Sequence, residues 1–146
     1  MIESSIIYSL EILPNGNAIT GTQNGYMSIW NVTSGSRVYT LSNGSCFDCH
    51  TDIIYALEFV NGTQMVASGS RDRKIILWNL DVGEKMYTYA KTITSATTSG
   101  IFCLKTLDGV SMASGDGGSP FYVRIWSLTS GIEVCFKIEI LFNQSF

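Results

Sequence analysis

Charge and proline are both scarce in this chain. Asp, Glu, Lys and Arg make up only 14% of its 146 residues and proline occurs twice, a composition that excludes a solvated, disordered chain and points to extensive burial. The nine basic residues are scattered among twelve acidic ones, with only Arg73 and Lys74 adjacent, so no basic stripe is on offer to nucleic acid. No apolar run approaches the roughly 20 residues that cross a bilayer, so no membrane partner is expected. The opening MIESSIIYSLEILPNGN has an acidic residue near its start and no basic n-region, and does not read as a secretory signal. Absent that signal, the four cysteines are expected to be thiols rather than disulfides. The sequons at Asn31, Asn43, Asn61 and Asn143 read as turn formers for the same reason. The expected setting is cytoplasmic, with the nucleus as the alternative.

Against these absences stand three tryptophans at equal intervals. Trp30, Trp78 and Trp126 are the only ones in the chain, each 48 residues from the next. Their phrases are alike: YMSIWNVTSG, KIILWNLDVG and YVRIWSLTSG. Upstream, IIYSLEI (6–12) matches IIYALEF (53–59), with a weaker echo in IFCLKT (101–106). The runs are short, β-branched and aromatic, which favours strands, and no segment shows a helical period with caps. Turn chemistry separates them at Pro14-Asn15-Gly16, Asn61-Gly62 and Asp108-Gly109, then at Ser34-Gly35, Val82-Gly83 and Ser130-Gly131. A fourth strand is predicted over SRVYTL (36–41), EKMYTY (84–89) and IEVCFKI (132–138). Each unit is therefore an antiparallel four-stranded sheet with both faces of its inner strands apolar, as in a stack of sheets.

In these residues the chain resembles the WD-repeat β-propeller family, whose blades are four-stranded and carry a Trp on the third strand. The resemblance implies an all-β fold of three blades in an open arc: about 4–44, 50–90 and 97–138, with a tail at 139–146. It also implies a hydrogen-bonded tetrad in the middle blade, formed by His50, Ser68, Asp72 and Trp78, since a buried indole N–H and imidazole need partners. The outer blades depart from the pattern. Thr20 and Asn24 replace Ser and Asp in the first, and Glu3 stands near the His position. The third keeps Ser114 and Trp126, has Thr97 near the His position, and lengthens its loop with DGGSP (116–120).

The phrase CFDCH (46–50) has the C-x-x-C-H spacing of covalent haem attachment. His50 falls at the family's His position, however, and neither an exported context nor a four-ligand zinc set accompanies it. A structural loop is expected, with no cofactor and no metal, and the alternative is a dithiol of Cys46 and Cys49, since a C-x-x-C on an exposed loop can close into a disulfide. Ser68, His50 and Asp72 match a hydrolase triad in composition, but the resemblance points the Ser at the Trp, between blades, so no catalysis is expected. SGDGGSP lacks the Lys-Ser/Thr and the helix of a phosphate cradle.

What the resemblance implies about function is a scaffold for other proteins. The positions matching the family's partner-binding end are Gln23, Arg71 and Gly117 in the turns, with Tyr8, Tyr55 and Phe102 at the starts of the first strands. Tyr and Arg are frequent interface anchors. Three blades are fewer than the four to eight of a closed propeller. The chain is thus expected either to complete a ring as a homo-oligomer or to be a truncated fragment of a longer protein.

Overall fold

Alternating β-branched and aromatic residues, broken by turn formers, give twelve strands in a computed structural model that describes residues 5–42, 49–80, 88–94, 99–117, 122–134 and 138–139. Blade 1 has β1 (Ile7–Ile12), β2 (Ala18–Thr22), β3 (Met27–Asn31) and β4 (Ser36–Ser42). Blade 2 has β5 (Ile54–Val60), β6 (Met65–Ser70), β7 (Lys74–Asn79) and β8 (Thr88–Thr94). Blade 3 has β9 (Ile101–Thr106), β10 (Ser111–Asp116), β11 (Tyr122–Ser127) and β12 (Ile138–Glu139). Each blade is a meander in chain order, antiparallel throughout. No helix is found among the described residues.

The first strands come out at the predicted positions, and so does the fourth strand of blade 1. There Asn31 pairs with Ser36 across a short turn. In blade 2 Asn79 pairs with Thr88, so the strand begins at Thr88 and runs past the predicted end at residue 89. The longer connection displaces it, and residues 81–87, including Val82-Gly83, lie outside the described residues. In blade 3 the predicted 132–138 shows a bridge at Glu133 and meets the start of β12 at Ile138, and residues 135–137 lie outside the described residues.

The middle blade explains why its strands lack an apolar/polar alternation. Val66, Ile76 and Trp78 point to one side and join Ile19, Met27 and Ile29 of blade 1 in a buried cluster. Their neighbours Ala67, Ile75 and Leu77 point to the other side and join Ile101, Leu104 and Met112 of blade 3. Successive residues of a strand face opposite ways, so a sheet packed on both faces is apolar at every position. The three blades form an arc that does not close.

The turns between second and third strands are tied to the starts of the first strands. Gln23 N–H donates to Ile6 O at 2.9 Å, Arg71 N–H to Ile53 O at 2.9 Å and Gly117 N–H to Gly100 O at 3.4 Å. One end of the arc therefore gathers turn and strand start from every blade.

One turn carries strain. Arg73 has φ 70°, and its counterpart in blade 1 is Gly25 at φ 77°. A side chain in this left-handed region costs roughly 1–2 kcal/mol. Arg73→Gly is expected to stabilise the protein by about 0.5–1 kcal/mol, read as a higher denaturant midpoint with an unchanged slope.

Candidate functional site

Strand register assembles the polar chain inside blade 2. Ser68 lies two residues from the end of β6, opposite Ile76, and Trp78 follows two residues later on the same face of β7. Trp78 Nε1 donates to Ser68 Oγ at 2.7 Å, and His50 Nε2 lies 2.7 Å from the same oxygen. His50 Nδ1 sits 2.9 Å from Asp72 Oδ2, which also accepts from Thr51 N–H at 3.1 Å. Lys74 N–H donates to the other carboxylate oxygen at 3.0 Å. A carboxylate only accepts, so Nδ1 carries a proton toward Asp72; Nε2 of the neutral ring then accepts from the Ser68 hydroxyl. Burial pushes the Asp72 carboxyl upward, but the hydrogen bonds from His50 and from the Lys74 and Thr51 amides hold it below its ordinary 3.8. Ser68 is fully buried and its oxygen is occupied by the ring and the indole, a geometry for fixing a fold rather than for attacking a substrate.

The outer blades hold shorter versions. In blade 1 Trp30 Nε1 donates to Thr20 Oγ1 at 2.9 Å, while Asn24 lies exposed in the turn. In blade 3 Trp126 Nε1 donates to Ser114 Oγ at 2.7 Å; Glu3 and Thr97 lie outside the described residues. Asp116 has a different partner, the buried Arg124, whose Nε lies 3.0 Å from it and whose Nη1 reaches Glu133 at 2.9 Å. Sequence reasoning missed this ion pair, although an Arg two residues before the Trp, where the other blades have Ser28 and Ile76, was a visible signal.

The cysteine expectation needs correction at one position. Cys49 is disulfide-bonded and buried in the apolar cluster between blades 1 and 2, whereas Cys103 is free and exposed. Which thiols meet depends on tertiary approach, and spacing alone does not give it. Cys46 and Cys135 lie outside the described residues. Among the described residues no three His, Cys, Asp or Glu side chains cluster as a metal site.

At the gathered end, the proposed contact residues form a ladder. Tyr8 and Tyr55 meet edge to face with ring centroids 5.9 Å apart, and Tyr55 stacks on Phe102 at 4.6 Å. Tyr8 is 45% and Phe102 48% exposed, so the row crosses all three blades at the surface. Gln23 and Arg71 are exposed beside it, and Gly117 lies against the Phe102 ring. Arg71 Nε is 3.8 Å from Asp52 Oδ2 in an exposed pair, worth about 0–1 kcal/mol and readily exchanged for another carboxylate. The opposite end has a 340 Å³ crevice between blades 1 and 2, lined by Leu13, Pro14, Ile29, Phe59 and the amides of Asn17 and Gln64. Among the described residues no lysine, arginine or carboxylate lines it.

A second repeat-phased row ties the blades together. Glu11, Glu58 and Lys105 occupy the same place in β1, β5 and β9. Glu58 Oε1 accepts from Thr106 N–H at 3.0 Å, Thr106 Oγ1 at 2.7 Å and Lys105 Nζ at 2.9 Å, all from the next blade. Burial raises the Glu58 carboxyl, yet the Thr106 and Lys105 bonds hold it below its ordinary 4.5. Glu11 goes the other way, raised first by burial and then by Glu58. A lowered carboxyl favours the folded state above its ordinary value, and that contribution is lost as pH falls through the lowered value. Glu58→Gln is therefore expected to destabilise the protein at pH 7 by roughly 1–3 kcal/mol. It should also flatten the fall in stability below the ordinary pKa of 4.5, as denaturant midpoints at pH 3–7 would show.

Residues 35–79 match the family described as WD domain, G-beta repeat. The 77 kDa echinoderm microtubule-associated protein of Strongylocentrotus purpuratus is 32% identical over 91 residues, which cover 62% of this chain and 12% of that protein. Protein tipD of Dictyostelium discoideum is 28% identical over 135 residues, 88% of this chain and 19% of its own length. The chain thus spans only 12% to 19% of these curated relatives. The crystal structure of the RRP9 WD40 repeats superposes with a TM-score of 0.75 at 23% identity, covering 92% of this chain and 38% of that one. At that identity the likeness concerns the fold alone.

Proposed function

Because the chain belongs to the WD-repeat β-propeller family, we propose that it is a non-catalytic platform on which other proteins dock. The observation that carries this reading is the exposed aromatic row Tyr8, Tyr55 and Phe102, which crosses three blades beside Gln23 and Arg71. Rigid rings offer contact area at little entropic cost, and Arg71 supplies a cation for a partner carboxylate. The name of the microtubule-associated relative supports a cytoplasmic setting. The test is affinity purification with quantitative mass spectrometry, comparing the wild-type chain with Arg71→Glu and Tyr55→Ser. A partner enriched on the wild type and lost on both variants, with folding retained, supports the platform. Equal recovery on all three would remove this end of the arc from consideration.

A second reading is a fragment whose function belongs to a longer propeller protein. The share of each relative that the chain spans, 12% and 19%, favours it.

A further inference from the structure

The aromatic row owes its alignment to one irregularity repeated in every blade. β1 advances from Ile7 to Ser9 while its partner advances only from Thr22 to Gly21. β5 makes the same slip between Ile54 and Ala56, and β9 between Ile101 and Cys103. The extra residue of each bulge is the ring itself: Tyr8, Tyr55 and Phe102. A bulge leaves its extra residue out of the ladder and re-aims the side chain, so three bulges in repeat phase set three rings in one row.

Beside Tyr55 the turn Arg71-Asp72-Arg73-Lys74 holds three cations and one carboxylate, in a chain whose net charge is −3. The carboxylate is already committed inward, to His50 and to the Thr51 and Lys74 amides. Arg71, with its side chain 61% exposed, faces Asp52 at 3.8 Å, beyond the roughly 3.2 Å reach of a good hydrogen bond. Arg73 is exposed and makes no ion pair among the described residues, yet its backbone is held at φ 70° where blade 1 has Gly25. Backbone strain of this kind clusters at ligand clamps. Here it falls on a cation that no described carboxylate uses. The corresponding turn of blade 1, Gln23-Asn24-Gly25, is uncharged, so the positive charge is centred on the middle blade. That blade has a sheet packed on each face, so its exposed arginines are not a product of the arc's open ends.

We infer that this end of the arc takes an acidic segment of a partner protein. An Asp or Glu of that segment engages Arg71 and Arg73, and its apolar or aromatic neighbours lie along Tyr8, Tyr55 and Phe102. The inference rests on the docking reading above and adds the partner's chemistry. A guanidinium binds a carboxylate best as a two-bond fork, which Asp52 at 3.8 Å does not supply. A basic segment would meet like charges, and a doubly charged phosphate would meet Asp52, whose side chain is 39% exposed beside Arg71.

The test is selection of displayed random dodecapeptides on the full chain, followed by fluorescence anisotropy of the enriched peptides. Enriched sequences are expected to set Asp or Glu beside aromatic or aliphatic residues. Their binding should weaken about tenfold or more with Arg71→Glu and about threefold or more with Arg73→Gly. Arg73→Gly is also the variant expected to unfold at a higher denaturant midpoint, and weaker binding by a more stable protein is not what a purely structural arginine gives. Circular dichroism checks folding, and Arg71→Gln replaces Arg71→Glu if the latter does not fold. Changing the enriched acid to its amide should weaken binding about as much as Arg71→Glu. If no peptide enriches whose binding is lost with Tyr55→Ser, the docking reading falls and this inference with it. Tyr55-dependent peptides that lack acids, or that bind both arginine variants as tightly as the wild type, would keep the docking reading and overturn this inference. So would a phosphoserine in place of the acid that binds about tenfold more tightly.

Discussion

Ser68→Ala is expected to destabilise the protein by about 2–4 kcal/mol. The missing hydroxyl leaves two groups without their partner at once, the Trp78 indole N–H and His50 Nε2, both 2.7 Å from Ser68 Oγ. Each buried group so stranded costs roughly 1–3 kcal/mol, far more than the net worth of one hydrogen bond. Ser68 is fully buried and His50 only 1% exposed, so water does not readily replace the oxygen. The small volume lost adds little, which makes this a test of polar satisfaction rather than of packing. Urea unfolding followed by tryptophan fluorescence gives the number. A loss under about 0.5 kcal/mol, the range of neutral surface changes, would mean that the indole and imidazole find other partners.

Gly69→Val should have a comparable effect by a different route. The first added carbon would already lie 2.6 Å from Ile101 Cγ2 and 3.1 Å from Ile101 Cβ. Ile101 is fully buried in the cluster that it shares with Ala56, Ala67, Leu77 and Met112. Overpacking of this kind costs typically 1–3 kcal/mol and is relieved by separating the two sheets. The expected outcome is a loss in that range, with faster hydrogen exchange in β9 and β10 than in β1 and β2. Val at Gly115, the same repeat position in blade 3, should cost less, because among the described residues only the Cys103 sulfur approaches it.

Much of the architecture was legible because the repeat is exact in its anchors. Three tryptophans at a 48-residue interval fixed the third strands, and the strands around them followed from turn chemistry. The blade 2 fourth strand was misplaced because turn residues announce that a chain reverses without saying how long the connection is. The disulfide at Cys49 was ranked below a free thiol because pairing is a tertiary event that spacing permits without requiring. The Glu58 bridge and the Gly69–Ile101 contact were present in the sequence as repeat-phased letters. Their meaning appears only when the sheets are stacked, since a glycine 32 residues before an isoleucine says nothing about which touches which. Arg124 is only 7% exposed, unusual for an arginine, because Asp116 and Glu133 receive its charge.

The most direct measurement of the docking claim is hydrogen exchange of the chain, free and bound to the partner recovered by affinity purification. Slowed exchange should appear at the starts of β1, β5 and β9 and in the turns at Gln23 and Arg71, with the opposite end, at Pro14–Asn17 and Gln64, unchanged. Protection confined to that opposite end, with Tyr8, Tyr55 and Phe102 exchanging as in the free chain, would contradict the account.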